Sequence, residues 1–418
     1  MANITITTPP ASPHAWALAH LKLKLAEVAG PDGSYLYADM GFNGALDALL
    51  SEANTSSLTS VGEIQFKTDG LKKSRIVDVL YIPRQSTALV TSNNNFCTPQ
   101  PCNTNVYKAD RFVLDRTRTV CFNLPRWEMQ ELVNGFAEME SAPMTVQQLA
   151  NMPFQPDLTG ILAGTFRENL RVLREAVNDD IAAQLAVAAP TFIAPGPGVP
   201  PPVPINITFT DANGNKVWPA ALMQMGEFMD RMGMQDAIIL YGYSPFYRAL
   251  RLMQDAYTDA NADGVDLLKL STTYGSRINR GRVTPFFDLK WNQTFGQNEF
   301  LAWQKGSIRV YSFAEYDDGA TGLVRYGYGT PGATTWKFAL PDPIHGDKFM
   351  YDVRVDYVDC PPDSTYNLEG TYKVTIRATY GLWLYPGDIW PNGHPLFQTR
   401  RILWFKANAA DVCLPICP

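Results

Sequence analysis

The sequence predicts an α+β protein, weighted towards strands and organised around one very long helix. Three observations predict it. Asp157 to Ala189 keeps the three-and-four spacing of a single apolar helical face for about nine turns. Long stretches on either side alternate apolar and polar residues with the period of two that a half-buried strand requires. The 31 prolines, 30 glycines and 12% aromatic content punctuate the chain as a strand-and-turn architecture would. At 418 residues the chain can bury a large core, and two or three structural units are expected.

Residues 1–55 read as an arm. Its one helical piece, Ala15 to Ala29, carries Leu18, Leu21, Leu23, Leu25 and Val28 between Pro13 and the Gly30-Pro31-Asp32-Gly33 turn. Such a segment rarely folds alone, so it is expected to lie on its own body or on a neighbouring copy. Residues 56–125 read as an extended antiparallel hairpin. The alternating run Val61 to Lys67 enters the turn Thr68-Asp69-Gly70, and Ser74 to Ile82 leaves it. A second strand pair is expected near Val106 to Leu114 and Thr119 to Leu124, with the polar loop around Asn93-Asn94-Asn95. A two-stranded ribbon is marginal in water, so a partner surface is expected to support it.

Residues 126–216 hold the long helix, 157–189, with Pro156 before it and Pro190 ending it. Its length of about 32 residues, roughly 48 Å, suits a backbone laid across a sheet, or alternatively a coiled-coil strand. Arg167, Glu168, Arg171, Arg174, Glu175, Asp179 and Asp180 are expected on its polar face. Thr191 to Pro204 reads as a stiff connector, and the Asp211 to Asn215 turn is expected to join two short strands.

Residues 217–345 look like a compact α/β unit. A helix is expected over Pro219 to Met232, whose methionines read as core filler, then a buried strand Ala237 to Tyr241 and a helix Ser244 to Tyr257 with Ser244 as N-cap. A strand is expected over Phe300 to Ala314. In residues 346–418, the alternating runs Phe349 to Val358 and Tyr372 to Trp383 are expected to pair in one sheet.

Little in the sequence points to chemistry. It contains no phosphate loop, dinucleotide fingerprint, nucleophile elbow or His-Glu-x-x-His helix, and its four histidines are scattered. No catalytic residue and no cofactor is expected. Asp259, Asn261, Asp263 and Gly264 match the start of a calcium loop, but Leu267 and Leu270 stand where further oxygen ligands belong. The acid pairs Asp179-Asp180 and Asp317-Asp318 read as solvated. Six cysteines lack zinc spacing and read as free thiols, with Cys97, Cys102, Cys413 and Cys417 placed for late oxidation between chains. A net charge of −6 opposes tight gripping of phosphate backbones but is compatible with enclosing DNA. No secretory signal and no stretch of eighteen apolar residues is found, so a cytoplasmically made product without membrane contact is expected.

The order of arm, long hairpin, single spine helix, α/β unit and closing strands resembles that of tailed-bacteriophage major capsid proteins of the Hong Kong 97-type fold. The run Glu299 to Tyr311 is similar to a buried strand that recurs in that family. The resemblance implies a spine-helix peripheral domain and an axial α/β domain, and a subunit that assembles with itself into hexamers and pentamers. It implies an icosahedral head around double-stranded DNA contacted without sequence preference, made in the host cytoplasm, with a portal and, in some heads, decoration proteins. An arm of about 55 residues leaves no room for a built-in scaffold, so a separate scaffolding protein is expected. Lys67, Lys72, Lys73 and Arg75 on the hairpin are opposite in sign to Glu168, Glu175, Asp179 and Asp180, an arrangement that can guide register between copies. Arg277, Arg280 and Arg282 are a second candidate contact, between subunits or, alternatively, with packaged DNA. An encapsulin-like shell enclosing enzymes is the nearest alternative. A β-rich carbohydrate-active or carbohydrate-binding protein, suggested by nine tryptophans and nineteen tyrosines, is the alternative from another class.

Overall fold

The computed structural model describes residues 43–51, 54, 65–66, 75–81, 108–125, 156–191, 204–209, 211–213, 217–232, 234, 236–242, 283–296, 298–314, 324–327, 334–358, 371–387 and 400–408. In chain order these hold helix Gly44–Leu50 (α1), strands Gln65–Phe66 (β1), Ile76–Tyr81 (β2), Lys108–Val113 (β3) and Arg116–Pro125 (β4), and the long helix Pro156–Ala188 (α2). Strand Ile205–Ile207 (β5), helix Trp218–Arg231 (α3), strands Ala237–Tyr241 (β6) and Val283–Phe287 (β7), and helix Trp291–Phe295 (α4) follow. The remainder is strand: Glu299–Gln304 (β8), Ile308–Phe313 (β9), Val324–Gly327 (β10), Thr334–Asp342 (β11), Gly346–Val358 (β12), Thr371–Leu384 (β13) and Ile402–Ala407 (β14). The architecture is α+β, as the sequence predicts.

The largest sheet runs β10-β11-β12-β13-β4, with β9 also pairing β13, and all its pairings are antiparallel. Its closing strands pair as expected, Val353 opposite Ile376 and Val355 opposite Val374. Those four side chains are buried on one face, while Arg354–Asp356 and Arg377–Asp352 ion pairs occupy the other. The period-two pattern is therefore a division between an apolar core face and a face of ion pairs, on which Asp352 is buried beneath Arg377. Helix α2, 33 residues long, lies on the apolar face through Phe166, Leu170, Leu173, Val177, Ile181 and Leu185. Phe166 meets Phe122 of β4 edge-to-face at 5.1 Å. Each such side chain, fully buried, contributes roughly 1.5–3 kcal/mol.

The second sheet runs β5-β14-β8-β6-β7 and is mixed, with β14–β5 and β6–β7 parallel. Strands β6 and β8 are buried along their whole length, which fits a sheet covered on both faces. Ile238, Leu240, Leu301 and Trp303 join the core beneath α2. Ala237, Ile239, Phe300 and Ala302 face a second core closed by Met225, Met229 and Met232, so the methionine stripe is core filler.

A third sheet has three strands, β1-β2-β3, all antiparallel. Val77, Val79, Tyr81 and Leu114 pack on Phe313, Trp383 and Tyr385. The approach is close at Gly381, where a Cβ would come within 2.9 Å of the Leu114 side chain.

Three expectations are corrected. β3 and β4 do not pair: β3 stays with β2, while β4 crosses to β13, because Arg118, Val120 and Phe122 have partners under α2. The run expected as one strand over 300–314 is two, broken at Gly306, whose φ of 85° turns the chain from the second sheet into the first. The Asp211 turn, closed by Asn213 N donating to Asp211 Oδ1, joins β5 to a helix, not to a second strand. The arm helix 15–29, the connector 192–203 and the helix expected at 244–257 lie outside the described residues.

Candidate assembly site

Helix α1 has seven residues, too few to be stable alone, and it is fixed by polar side chains brought from elsewhere in the chain. Its first amides find acceptors outside the helix. Ala45 N donates to Asp288 Oδ2 and Leu46 N to Asn178 Oδ1, both at 3.0 Å, and Asn178 Nδ2 donates to Asp288 Oδ2 at 2.8 Å. Burial pushes the Asp288 carboxyl above its usual range. At the other end Lys348 Nζ donates to Leu50 O, and Asn54 Nδ2 donates to both Leu49 O and Ile308 O. Gly44 is required by contact: a Cβ there would lie 2.2 Å from the carbonyl oxygen of Phe287.

The centre of this hub is ionic. Arg174 of α2 has no exposed side-chain surface; its Nη2 donates to Asp47 of α1 and its Nε to Asp342 Oδ1 at 3.1 Å. Tyr351 OH donates to the same Asp342 oxygen at 2.9 Å, and the other oxygen accepts the amides of Ile344 and His345. His345 Nε2 lies 2.9 Å from Asp47 Oδ1. Burial opposes the charge on Arg174, but Asp342 and Asp47 outweigh it and hold the guanidinium protonated even more firmly than usual. Burial likewise opposes the charge on Asp47, yet its hydrogen bond to His345 and the nearby Arg174 keep its pKa below the ordinary value. The hub thus ties α1 to α2, to the β11–β12 turn and to the β7–α4 turn.

The sequence-predicted contact residues divide. Glu168, Glu175 and Asp179 lie on the outer flank of α2, where Arg171 bridges Glu168 and Glu175, and Lys290 Nζ approaches Asp179 at 3.2 Å and Glu175 at 3.5 Å. Asp180 corrects the expectation of one solvated acidic face. It is buried, accepting from Arg118 Nη2 at 2.6 Å, Tyr380 OH at 2.7 Å and Gln184 Nε2 at 2.9 Å. Arg174 corrects the same expectation from the basic side. Arg75 is exposed at the start of β2, its carbonyl accepting from Leu114 N. Lys67, Lys72, Lys73, Arg277, Arg280, Arg282, Asp259, Asn261, Asp263, Cys97, Cys102, Cys413 and Cys417 lie outside the described residues. Cys121 on β4 is an exposed free thiol.

Sequence reasoning missed Asp47, Asn178, Asp288 and Asp342. A signal for part of the hub was present: Arg174 and Asn178 follow Leu170 at successive intervals of four, on the side of the helix that also carries Ile181 and Leu185. Among the described residues, no group of three or more His, Cys, Asp or Glu is placed to hold a metal, and no helix is long and apolar enough to cross a membrane.

No protein-family model matches the sequence, and no curated protein matches it. Solved structures do show similarity. The capsid of Cyanophage A-1(L) is 13% identical at a TM-score of 0.35, covering 80% of this chain and 88% of that one. The capsid of Staphylococcus phage Andhra is 8% identical at 0.35, covering 82% and 84%. A virus-like particle from Pyrococcus furiosus is 9% identical at 0.32, covering 87% and 99%.

Proposed function

We propose that this chain is the major capsid protein of a tailed phage, a structural subunit without catalysis that assembles with itself into hexamers and pentamers of an icosahedral head. The head encloses double-stranded DNA, touched without sequence preference, and is assembled in the host cytoplasm with a separate scaffolding protein and a portal. The observation that carries this reading is the seating of the long helix. It is buried on one side across an antiparallel sheet, is exposed on the other, and is pinned at mid-length to α1. A shell subunit needs such a stiff body, because arms and hairpins can only bind neighbours in register if they spring from fixed points.

In this reading residues 217–345 form the axial domain, and 126–216 with the closing strands of 346–418 form the peripheral one. The hairpin of 56–125 brings Lys67, Lys72, Lys73 and Arg75 to the Glu168, Glu175 and Asp179 flank of the next copy, and Arg277, Arg280 and Arg282 serve a second contact. Electron microscopy of the expressed chain, alone and with its genomic neighbours, tests the proposal. Closed particles containing DNA are expected. Particles filled with protein would transfer the chain to the encapsulin-like class, and a monomer that binds glycans would overturn the shell reading altogether.

A further inference from the structure

Strand β13 carries two residues that work against its own stability. Gly381 lies inside it, where a glycine adds no packing and loses more backbone entropy than any other residue. Thr379, two positions earlier on the same face, is fully buried, and among the described residues its Oγ1 has no hydrogen-bond partner. Local choices that oppose stability collect where function overrides packing. Backbone conformation does not call for the glycine, since the described glycines with positive φ are Gly296, Gly306, Gly346 and Gly387. What calls for it is the third sheet. A Cβ at position 381 would stand 2.9 Å from Leu114 Cδ2, 3.1 Å from Phe112 Cε2 and 3.3 Å from Leu114 Cα.

The place of this contact gives it leverage. Leu114 and Asp115 join β3 to β4, so the chain leaves the third sheet for the largest one at the point where Gly381 is approached. Further along the seat Trp383 Nε1 donates to Asp110 Oδ2 at 2.9 Å, and Tyr81 packs on Tyr385 with ring centroids 5.7 Å apart. Val77, Val79 and Phe313 complete it with apolar contact, which has no preferred direction, so the tilt of β2 and β3 follows from how closely each end approaches β13. The far face is open to solvent at Ile76 and its cross-strand partner Val113, 45% and 55% exposed. Lifting the Leu114 end by about 2 Å over strands of about 20 Å turns their axes by roughly 6°. Tyr81 and Lys108, paired across the sheet, are the points between which residues 82–107 run, so the turn redirects both strands there.

We infer that Gly381 is a positioning residue for self-assembly: its bare α-carbon fixes the tilt of the β1-β2-β3 sheet on β13, and with it the direction from which β2 and β3 meet a neighbouring copy. This rests on the shell reading above. Sedimentation and electron microscopy of the expressed full chain give the yield of closed particles, and denaturant unfolding of its unassembled fraction gives the stability. Gly381→Val supplies a better strand former, so the unfolding midpoint should stay close to the parent's. The yield of closed particles should nevertheless drop at least about tenfold, because a small misfit repeats at every contact of a shell. Adding Leu114→Ala removes the atom met first, lets the valine methyls fill the space it leaves, and should restore most of the yield. Gly381→Ala is the smaller wedge, should give an intermediate yield, and decides the matter if the valine chain does not fold. Undiminished yield from the folded variants overturns the inference and leaves the shell reading intact. So does a loss that Leu114→Ala fails to restore, or one matched by an equal loss of stability, which would make Gly381 a packing residue only. A parent chain that stays monomeric and forms no particles overturns the shell reading itself, and the inference with it.

Discussion

Two arginines three residues apart on α2 meet opposite fates. Arg171 sits at the surface between Glu168 and Glu175, with Lys290 completing the chain of charges. Arg174 has no exposed surface and joins Asp47 to Asp342 across three separate parts of the sequence. Both are arginine–carboxylate pairs. What differs is the medium: water and salt screen the first, whereas the second has nothing but its partners to replace hydration. The surface set is local, spanning residues three or four apart plus one lysine. The buried set defines where α1, the long helix and the sheet meet.

The comparison breaks if the two sites respond alike to loss of the arginine. Arg174→Met should cost about 3–5 kcal/mol, because Asp342 would remain fully buried, and Asp47 partly buried, without the arginine; chemical denaturation with a two-state fit measures it. Replacing Asp342 by leucine in the same chain should recover part of the loss by removing one orphaned charge, which simple additivity would not give. Next in size is Gly44→Ala. The added methyl meets the Phe287 backbone, so α1 must shift away from Asp288 and Asn178, at a cost of about 1–3 kcal/mol read from the same titration.

Acid sharpens the contrast further. Asp47 and Asp180 have lowered pKa values in the folded chain, so each binds fewer protons folded than unfolded, and their stabilisation is lost as pH falls from about 4 through their folded values. Asp288 is raised, binds more protons when folded and works in the opposite sense, so the acid loss is partial. Denaturation midpoints measured between pH 3 and pH 7 (roughly the window set by carboxyl titration) should fall towards acid, and Asp47→Asn should flatten that slope. An unchanged slope would mean that the hub is not what titrates.

Periodicity made the backbone of this fold legible. The bounds expected for the long helix, 157–189, differ from the observed Pro156–Ala188 by a single residue at each end, and the two closing strands pair as their alternation required. What stayed hidden was pairing over distance. Nothing local to β4 says that it leaves β3 for β13, since both partners offer the same alternating edge, and the choice is made by Phe166 and Asp180 on a helix more than forty residues later. The strand expected over 300–314 concealed its break because Lys305 and Gly306 sit between two equally apolar halves. The hub was hidden for the same reason. Asp47, Asp288 and Asp342 each look like ordinary turn or surface acids until the fold gathers them around Arg174 and Asn178.

The smallest expected effect is the one that completes the comparison. Arg171→Ala removes both partners' shared cation, yet Glu168 and Glu175 stay hydrated and Lys290 still neighbours Glu175, so no desolvated charge is left behind. At high salt its unfolding midpoint should match the parent within the scatter of repeats, with a small fall only at low ionic strength, where screening no longer hides the pair. Arg174→Met should show its large loss at both salt concentrations, since ions do not reach the hub. A salt-insensitive, large effect at Arg171 would mean that this flank is covered in solution, and the division of α2 into a buried and a screened side would have to be redrawn.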